Sequence, residues 1–220
     1  MVSRETPGPT PDLPEWLVGR GPVLTAFTEV LAGPGVERGL IGPREVPRLW
    51  TRHVLNCAVV AEPGTGLVPE GSTVGDVGSG AGLPGLVWAI ARPDVRMVLV
   101  EPLLRRSTFL QEAVTSLGLQ AQVTVWRGRA EDAAGGIPTL DVVTARAVAP
   151  LPRLLGWTVP LLRPGGRLLA LKGENAAAEV AEAADAIAQW HLHDVRVERV
   201  GGEFLETPTT VIVGVRGAAD

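Results

Sequence analysis

No segment constrains this chain more than Val74 to Gly85, which reads Val-Gly-Asp-Val-Gly-Ser-Gly-Ala-Gly-Leu-Pro-Gly. It predicts a short buried strand, a turn carrying Gly78, Gly80 and Gly82, and a helix beginning near Pro84. Glycine is required where the backbone takes positive φ or lies against a ligand with no Cβ between. Proline suits the first helical turn, where its missing N–H would be unpaired anyway. The stretch therefore predicts a cofactor turn. Gly80, Gly82 and Gly85 also satisfy the dinucleotide pattern G-x-G-x-x-G, so at this point two ligands are open.

Asp76, two positions before the first glycine, separates them. A carboxylate at the end of the strand would face a pyrophosphate with like charge, whereas the sulfonium and ammonium of S-adenosylmethionine (SAM) favour a nearby negative charge. SAM is the expected cofactor.

From Val74 onward, apolar strands alternate with helices. Strands are expected at Thr73–Val77, Arg96–Val100, Ala121–Trp126, Asp141–Ala145, Arg167–Leu171, His193–Val200 and Thr210–Val215. Helices are expected at Pro84–Ala91, Leu103–Leu117, Leu151–Leu162 and Ala176–Trp190. Near-continuous apolar strands of this kind belong to a mostly parallel sheet covered on both faces. The expected fold is α/β, a doubly wound, mostly parallel seven-stranded Rossmann-like sheet with an N-terminal helical extension. The extension, residues 13–65, contains two apolar-periodic helices, about Glu15–Leu31 and Val46–Ala61, before a catalytic domain at 66–220. Residues 1–12, with Pro7, Pro9 and Pro11, read as a disordered tail.

Composition excludes several alternatives. There is no apolar run of the roughly eighteen residues that a membrane span needs and no signal-peptide core, so a cytoplasmic protein is expected. The single cysteine, Cys57, precludes an internal disulfide and a cysteine-cluster zinc site, and reads as a buried apolar residue; no metal is expected, and a monomer is. The formal charge of −4 is unevenly spread. Arg44 to Lys172 hold fourteen basic and ten acidic residues, so that the middle of the chain is basic within an acidic whole. Arginines there are suited to phosphate contacts.

In doubly wound sheets the ligand lies beyond the carboxyl ends of the strands, at the switch point of strand order. That rule gathers Gly78, Gly80, Gly82 and Leu83 after the first strand, Glu101 after the second, Ala130 and Glu131 after the third, Arg146 after the fourth and Lys172 after the fifth. Glu101 has the spacing from the glycines at which an acidic side chain accepts hydrogen bonds from ribose hydroxyls.

The acceptor is constrained by what is missing. The place after the fourth strand reads Thr144-Ala145-Arg146-Ala147, without the Pro-Pro-aromatic loop suited to exocyclic amines and without the cysteine nucleophile that pyrimidine C5 requires. Guanine N7 carries a free lone pair, so positioning and electrostatics suffice there.

These residues carry a resemblance. Asp76-Val77-Gly78-Ser79-Gly80-Ala81-Gly82-Leu83-Pro84-Gly85, Glu101-Pro102-Leu103-Leu104-Arg105-Arg106, Gly128-Arg129-Ala130-Glu131, Ala145-Arg146-Ala147 and Leu171-Lys172-Gly173-Glu174 resemble the successive motifs of the methyltransferase G family. Its members are bacterial 16S ribosomal RNA guanine-N7 methyltransferases, also called glucose-inhibited division protein B. The resemblance runs from about Trp50, with Arg52-His53 matching a family Arg-His pair, to Glu174. It implies SAM contacts at Gly78, Leu83, Ala130, Glu131 and Arg146. It also implies that Arg129, Arg146 and Lys172, with His53, Arg52 and Arg106, serve RNA binding or methyl transfer. The implied partner is 16S rRNA or the small ribosomal subunit, and the implied target a guanine of the decoding-region loop. Gly75 departs from the family's larger apolar residue, with weaker strand packing expected.

Two other classes stay open on the sequence: a SAM-dependent methyltransferase for small molecules, and an NAD-dependent oxidoreductase using the same glycines. Asp76, together with the lack of a hydride-transfer acid, argues against the second.

Overall fold

The computed structural model describes residues 6–146 and 149–218. The part of the expected tail at residues 1–5, and Ala147 of the Arg-Ala motif, lie outside the described residues. Residues 6–12 contain no helix or strand, yet they lie against the fold, with the Thr10 hydroxyl 3.3 Å from that of Thr25.

Seven strands form one sheet: β1 (Thr73–Val77), β2 (Arg96–Val100), β3 (Val123–Trp126), β4 (Leu140–Arg146), β5 (Leu162–Lys172), β6 (Leu192–Val200) and β7 (Thr209–Arg216). Their order is β3-β2-β1-β4-β5-β7-β6. The first five pair in parallel, and β7 inserts antiparallel between β5 and β6. Strand order therefore reverses beside β1, and the crevice opens above the carboxyl ends of β1 and β4.

The N-terminal extension shares its core with one face of this sheet. Leu24, Phe27 and Leu31 are fully buried in a cluster that also holds Trp88, Leu99 and Val142. Burying each such side chain contributes about 1.5–3 kcal/mol, enough to dock the extension firmly. Polar ties reinforce this contact. Trp88 Nε1 donates to the carbonyl of Cys57 (2.8 Å), and the buried Arg92 guanidinium donates to the carbonyls of Ala61 and Val68 while chelating Asp94.

Where the structure departs from periodicity, Pro and Gly are usually the cause. The first expected helix is split into Glu15–Val18 and Gly21–Val30, then widens into a π turn at Leu31–Gly35 that contains Pro34. The second is a 3₁₀ turn at Pro43–Arg48, which contains Pro47, followed by a π segment at Leu49–Leu55 and a short α turn at Asn56–Ala58. A proline inside a helix removes one donor and clashes with the preceding turn, so regular winding fails there. β5 begins earlier than expected, at Leu162, because Pro164-Gly165-Gly166 is absorbed into the strand at a register shift opposite β4. The expected C-terminal helix divides at Ala183 into Ala176–Glu182 and Ala184–Gln189.

Gly75 does not weaken β1. A Cβ there would lie 2.3 Å from Leu140 Cδ1. Leu140 already occupies the space that a larger residue would take.

Candidate active site

The turn after β1 is built as its glycines require. Gly78, Gly80 and Gly82 have φ of +74°, +56° and +86°. Asp76 holds this turn from beneath. Its Oδ2 accepts from the Gly85 N–H at the start of the helix Gly85–Ala91 (3.0 Å), and the Ser79 hydroxyl donates to the Asp76 carbonyl (2.7 Å).

Above the turn lies a cavity of about 660 Å³ lined by Gly78, Ser79, Gly80, Ala81 and Leu83 after β1, by Glu101 and Arg106 after β2, and by Arg129, Ala130 and Glu131 after β3. Arg146 at the end of β4 and His53 from the extension close another side. Separate strand ends thus converge as the topology demands. Pockets of roughly 300–1,000 Å³ suit ligands of nucleoside size.

Glu101 is buried, with Oε2 accepting from the Gly80 N–H and Oε1 from the Leu103 N–H, both at 3.0 Å. An ionised carboxylate has about four acceptor positions, so capacity remains for ribose hydroxyls on the cavity side.

Asp76 differs from its expected place. It does not line the cavity wall; it is wholly buried beneath the turn, and its Oδ1 has no hydrogen-bond partner among the described residues. Burial pushes its carboxyl up to about 7, against the pull of the Gly85 N–H and the Ser79 side chain. Because the folded value is raised, the folded state holds this proton more tightly than the unfolded chain does. The contribution of Asp76 to stability is therefore fully present at acid pH and is lost as pH rises from about 4 through 7. Asp76→Asn removes the titration, so its stability relative to the wild type is expected to improve between about pH 5 and pH 8 in ligand-free urea unfolding. A pH-independent difference would show that Asp76 carries no unpaired charge.

Arg146 is held by two contacts: NH1 donates to Cys57 Sγ (3.1 Å) and NH2 approaches His53 Nδ1 (2.5 Å). Cys57 is thus more than an apolar filler, although burial raises its thiol pKa and keeps it protonated. His53 in turn meets Glu45 Oε2 through Nε2 at 3.0 Å.

The other expected residues are placed differently. Gly82 shapes the turn without lining the cavity. Lys172 is also absent from the wall: its ammonium donates to the Ala149 carbonyl (2.8 Å) and pairs with Glu179 (2.6 Å), so it braces the chain beyond β4. Arg52 is exposed and pairs with Glu45 at 3.2 Å.

Periodicity missed Arg153 and Trp157, which both line the cavity, with the guanidinium 4.8 Å from the indole ring. Their i,i+4 spacing on the helix Leu151–Thr158, just beyond Arg146, was the available signal. Leu40 and Ile41, also in the wall, come from a loop with no such signature.

The open glycine turn and the spare acceptors of Glu101 fit a nucleoside ligand. Fold and site together define a SAM-dependent methyltransferase. A solved SAM-dependent O-methyltransferase from Thermotoga maritima shares the fold, with a TM-score of 0.53 over 75% of this chain and 66% of that one, at 16% identity. The family model described as rRNA small subunit methyltransferase G matches residues 21–206, and the chain belongs to that family. Proteins named ribosomal RNA small subunit methyltransferase G are similar along most of its length. The one from Salinispora tropica is 58% identical over 86% of this chain and 79% of its own. The one from Mycolicibacterium vanbaalenii is 51% identical over 100% and 95%. Its activity is accordingly that of an rRNA methyltransferase. No helix among the described residues is long and apolar enough to cross a membrane.

Proposed function

We propose that this enzyme methylates N7 of one guanine in the decoding-region loop of 16S rRNA, in the cytoplasm, on the RNA or on the small subunit. The observation that carries this reading is a cavity in which the glycine turn and Glu101 meet a wall bearing Arg106, Arg129 and Arg146. SAM supplies an electrophilic methyl group when bound. Gly78 to Leu83 would cradle it, Glu101 would accept from the ribose hydroxyls, and Ala130 and Glu131 would border the adenine. N7 has no proton to lose, so the chain needs no general base. Its contribution is to orient the guanine, with Arg146 donating to O6 or to a flanking phosphate. Arg106, Arg129 and Arg153, which border the cavity, would contact the RNA backbone, and Trp157 would offer a stacking face to an unstacked base.

Glu101→Ala is expected to weaken SAM binding about 10- to 100-fold, as loss of hydrogen bonds to a charged acceptor implies. Calorimetric titration with SAM measures this, with NAD as the control ligand. The whole reading is tested by transfer of labelled methyl from SAM to small subunits and to naked 16S rRNA. Incorporation into either supports it. SAM binding with neither RNA labelled would favour a small-molecule acceptor, and binding of NAD in place of SAM would overturn the cofactor.

A further inference from the structure

We propose that Glu45 and His53 act as a positioning pair that orients the Arg146 guanidinium through the unprotonated Nδ1 of a neutral histidine. This rests on the reading of Arg146 as the substrate-facing donor. The protonation pattern follows from the partners. A guanidinium stays charged and only donates, so His53 Nδ1, at 2.5 Å from Arg146 NH2, must accept. The ring proton is then on Nε2, which meets the Glu45 carboxylate at 3.0 Å. Cys57 Sγ takes NH1 of the same guanidinium at 3.1 Å, fixing a second point of its plane. Two anchors on one planar fork leave the remaining N–H groups with a set direction.

Local winding makes this possible. In a continuous α-helix at 3.6 residues per turn, Glu45 and His53 would lie about 80° apart around the axis. The 3₁₀ turn at Pro43–Arg48 and the π segment at Leu49–Leu55 replace that regular winding, and the two side chains meet. π segments are frequent at functional sites. His53 is faced by Glu45, Arg146 and Arg52. Burial and then Arg146 hold its pKa below the usual histidine range, outweighing the Glu45 hydrogen bond that raises it, so the neutral form prevails.

The experiment compares three substitutions at His53 with one at Glu45 in the full chain, using small subunits as acceptor. His53→Ala removes the acceptor, and kcat is expected to fall on the order of 100-fold, with KM for SAM within about twofold. His53→Asn restores an acceptor near Nδ1 and is expected to recover to within about tenfold of the wild type. His53→Gln reaches Nε2 instead and should resemble alanine. Glu45→Ala, at a partly exposed position where folding is not at risk, should cost about tenfold. Wild-type kcat should fall on acidification as His53 protonates against Arg146, an acid limb that His53→Asn lacks. Equal activity of the alanine and asparagine variants, or alanine at the wild-type kcat, overturns the pair.

A second readout needs no substrate. The chain has three histidines, so the His53 ring nitrogens are assignable by NMR from the His53→Asn spectrum. The Nε2–H tautomer is expected in the wild type, and a mixture only when Glu45 and Arg146 are both replaced by alanine. An Nδ1–H or mixed tautomer in the wild type would refute the pair even if no RNA were methylated, whereas absence of transfer alone would refute the proposed function.

Discussion

Replacing Arg146 by alanine is expected to lower kcat for RNA methylation on the order of 100- to 1,000-fold, the range for losing a preorganised donor at a reacting centre. The protein should still fold. The substitution removes the bonds to His53 and Cys57 and leaves Nδ1 of the half-buried His53 without its protein partner. That costs about 1–3 kcal/mol against the roughly 5–15 kcal/mol by which domains are stable. Lysine at this position keeps the charge but not the planar fork, so it cannot hold two anchors and still point a donor at the substrate. Arg146→Lys should therefore recover little of kcat. There is also an electrostatic consequence beneath the turn. Arg146 is among the groups that lower the Asp76 pKa, so its removal raises that carboxyl further. Single-turnover transfer to small subunits, with a thermal melt of each variant, measures both effects. An Arg146→Ala enzyme at wild-type rate would remove this residue from the chemistry.

The largest effect on structure is expected from Gly85→Ala. A Cβ at Gly85 would sit 2.4 Å from Leu99 Cδ2 and 2.7 Å from Asp76 Oδ2. Leu99 and Asp76 are both fully buried within the sheet, so neither can move aside without disturbing β1 and β2. Overpacking of this kind costs about 1–3 kcal/mol. The Gly85 N–H would also lose its alignment with Asp76, releasing the turn from the strand beneath it. A lower melting temperature and SAM affinity reduced at least tenfold are expected, since one unpaired hydrogen bond is worth about 1.4 kcal/mol or more. A variant with unchanged melting temperature and affinity would show that Asp76 and Gly85 do not hold the turn.

The parts legible from sequence were those governed by short-range chemistry. Three glycines at alternate positions implied positive φ, and all three have it. Apolar runs gave the strands, and the switch-point rule brought Gly78, Glu101, Ala130 and Arg146 to one cavity. What stayed hidden depended on contacts between distant segments. Asp76 was expected at the ligand because it ends the strand, but its side chain turns under the loop to reach Gly85, nine residues on. Lys172 was expected to face RNA because it comes at the carboxyl end of the fifth strand; Glu179, one helical turn into the next element, captures its ammonium instead. Glu45 carried no signal, because its bond to His53 arises from the irregular winding between them. Arg153 and Trp157 lie on the helix expected at Leu151–Leu162, but only the placement of that helix over the cavity brings them to the site.

Transfer of labelled methyl to small ribosomal subunits, followed by chain cleavage selective for 7-methylguanine, reads acceptor and position in one assay. Label confined to one guanine of the decoding-region loop, lost in Arg146→Ala, is the expected result. Label on another atom, or spread over many guanines, would contradict a site built to orient one base.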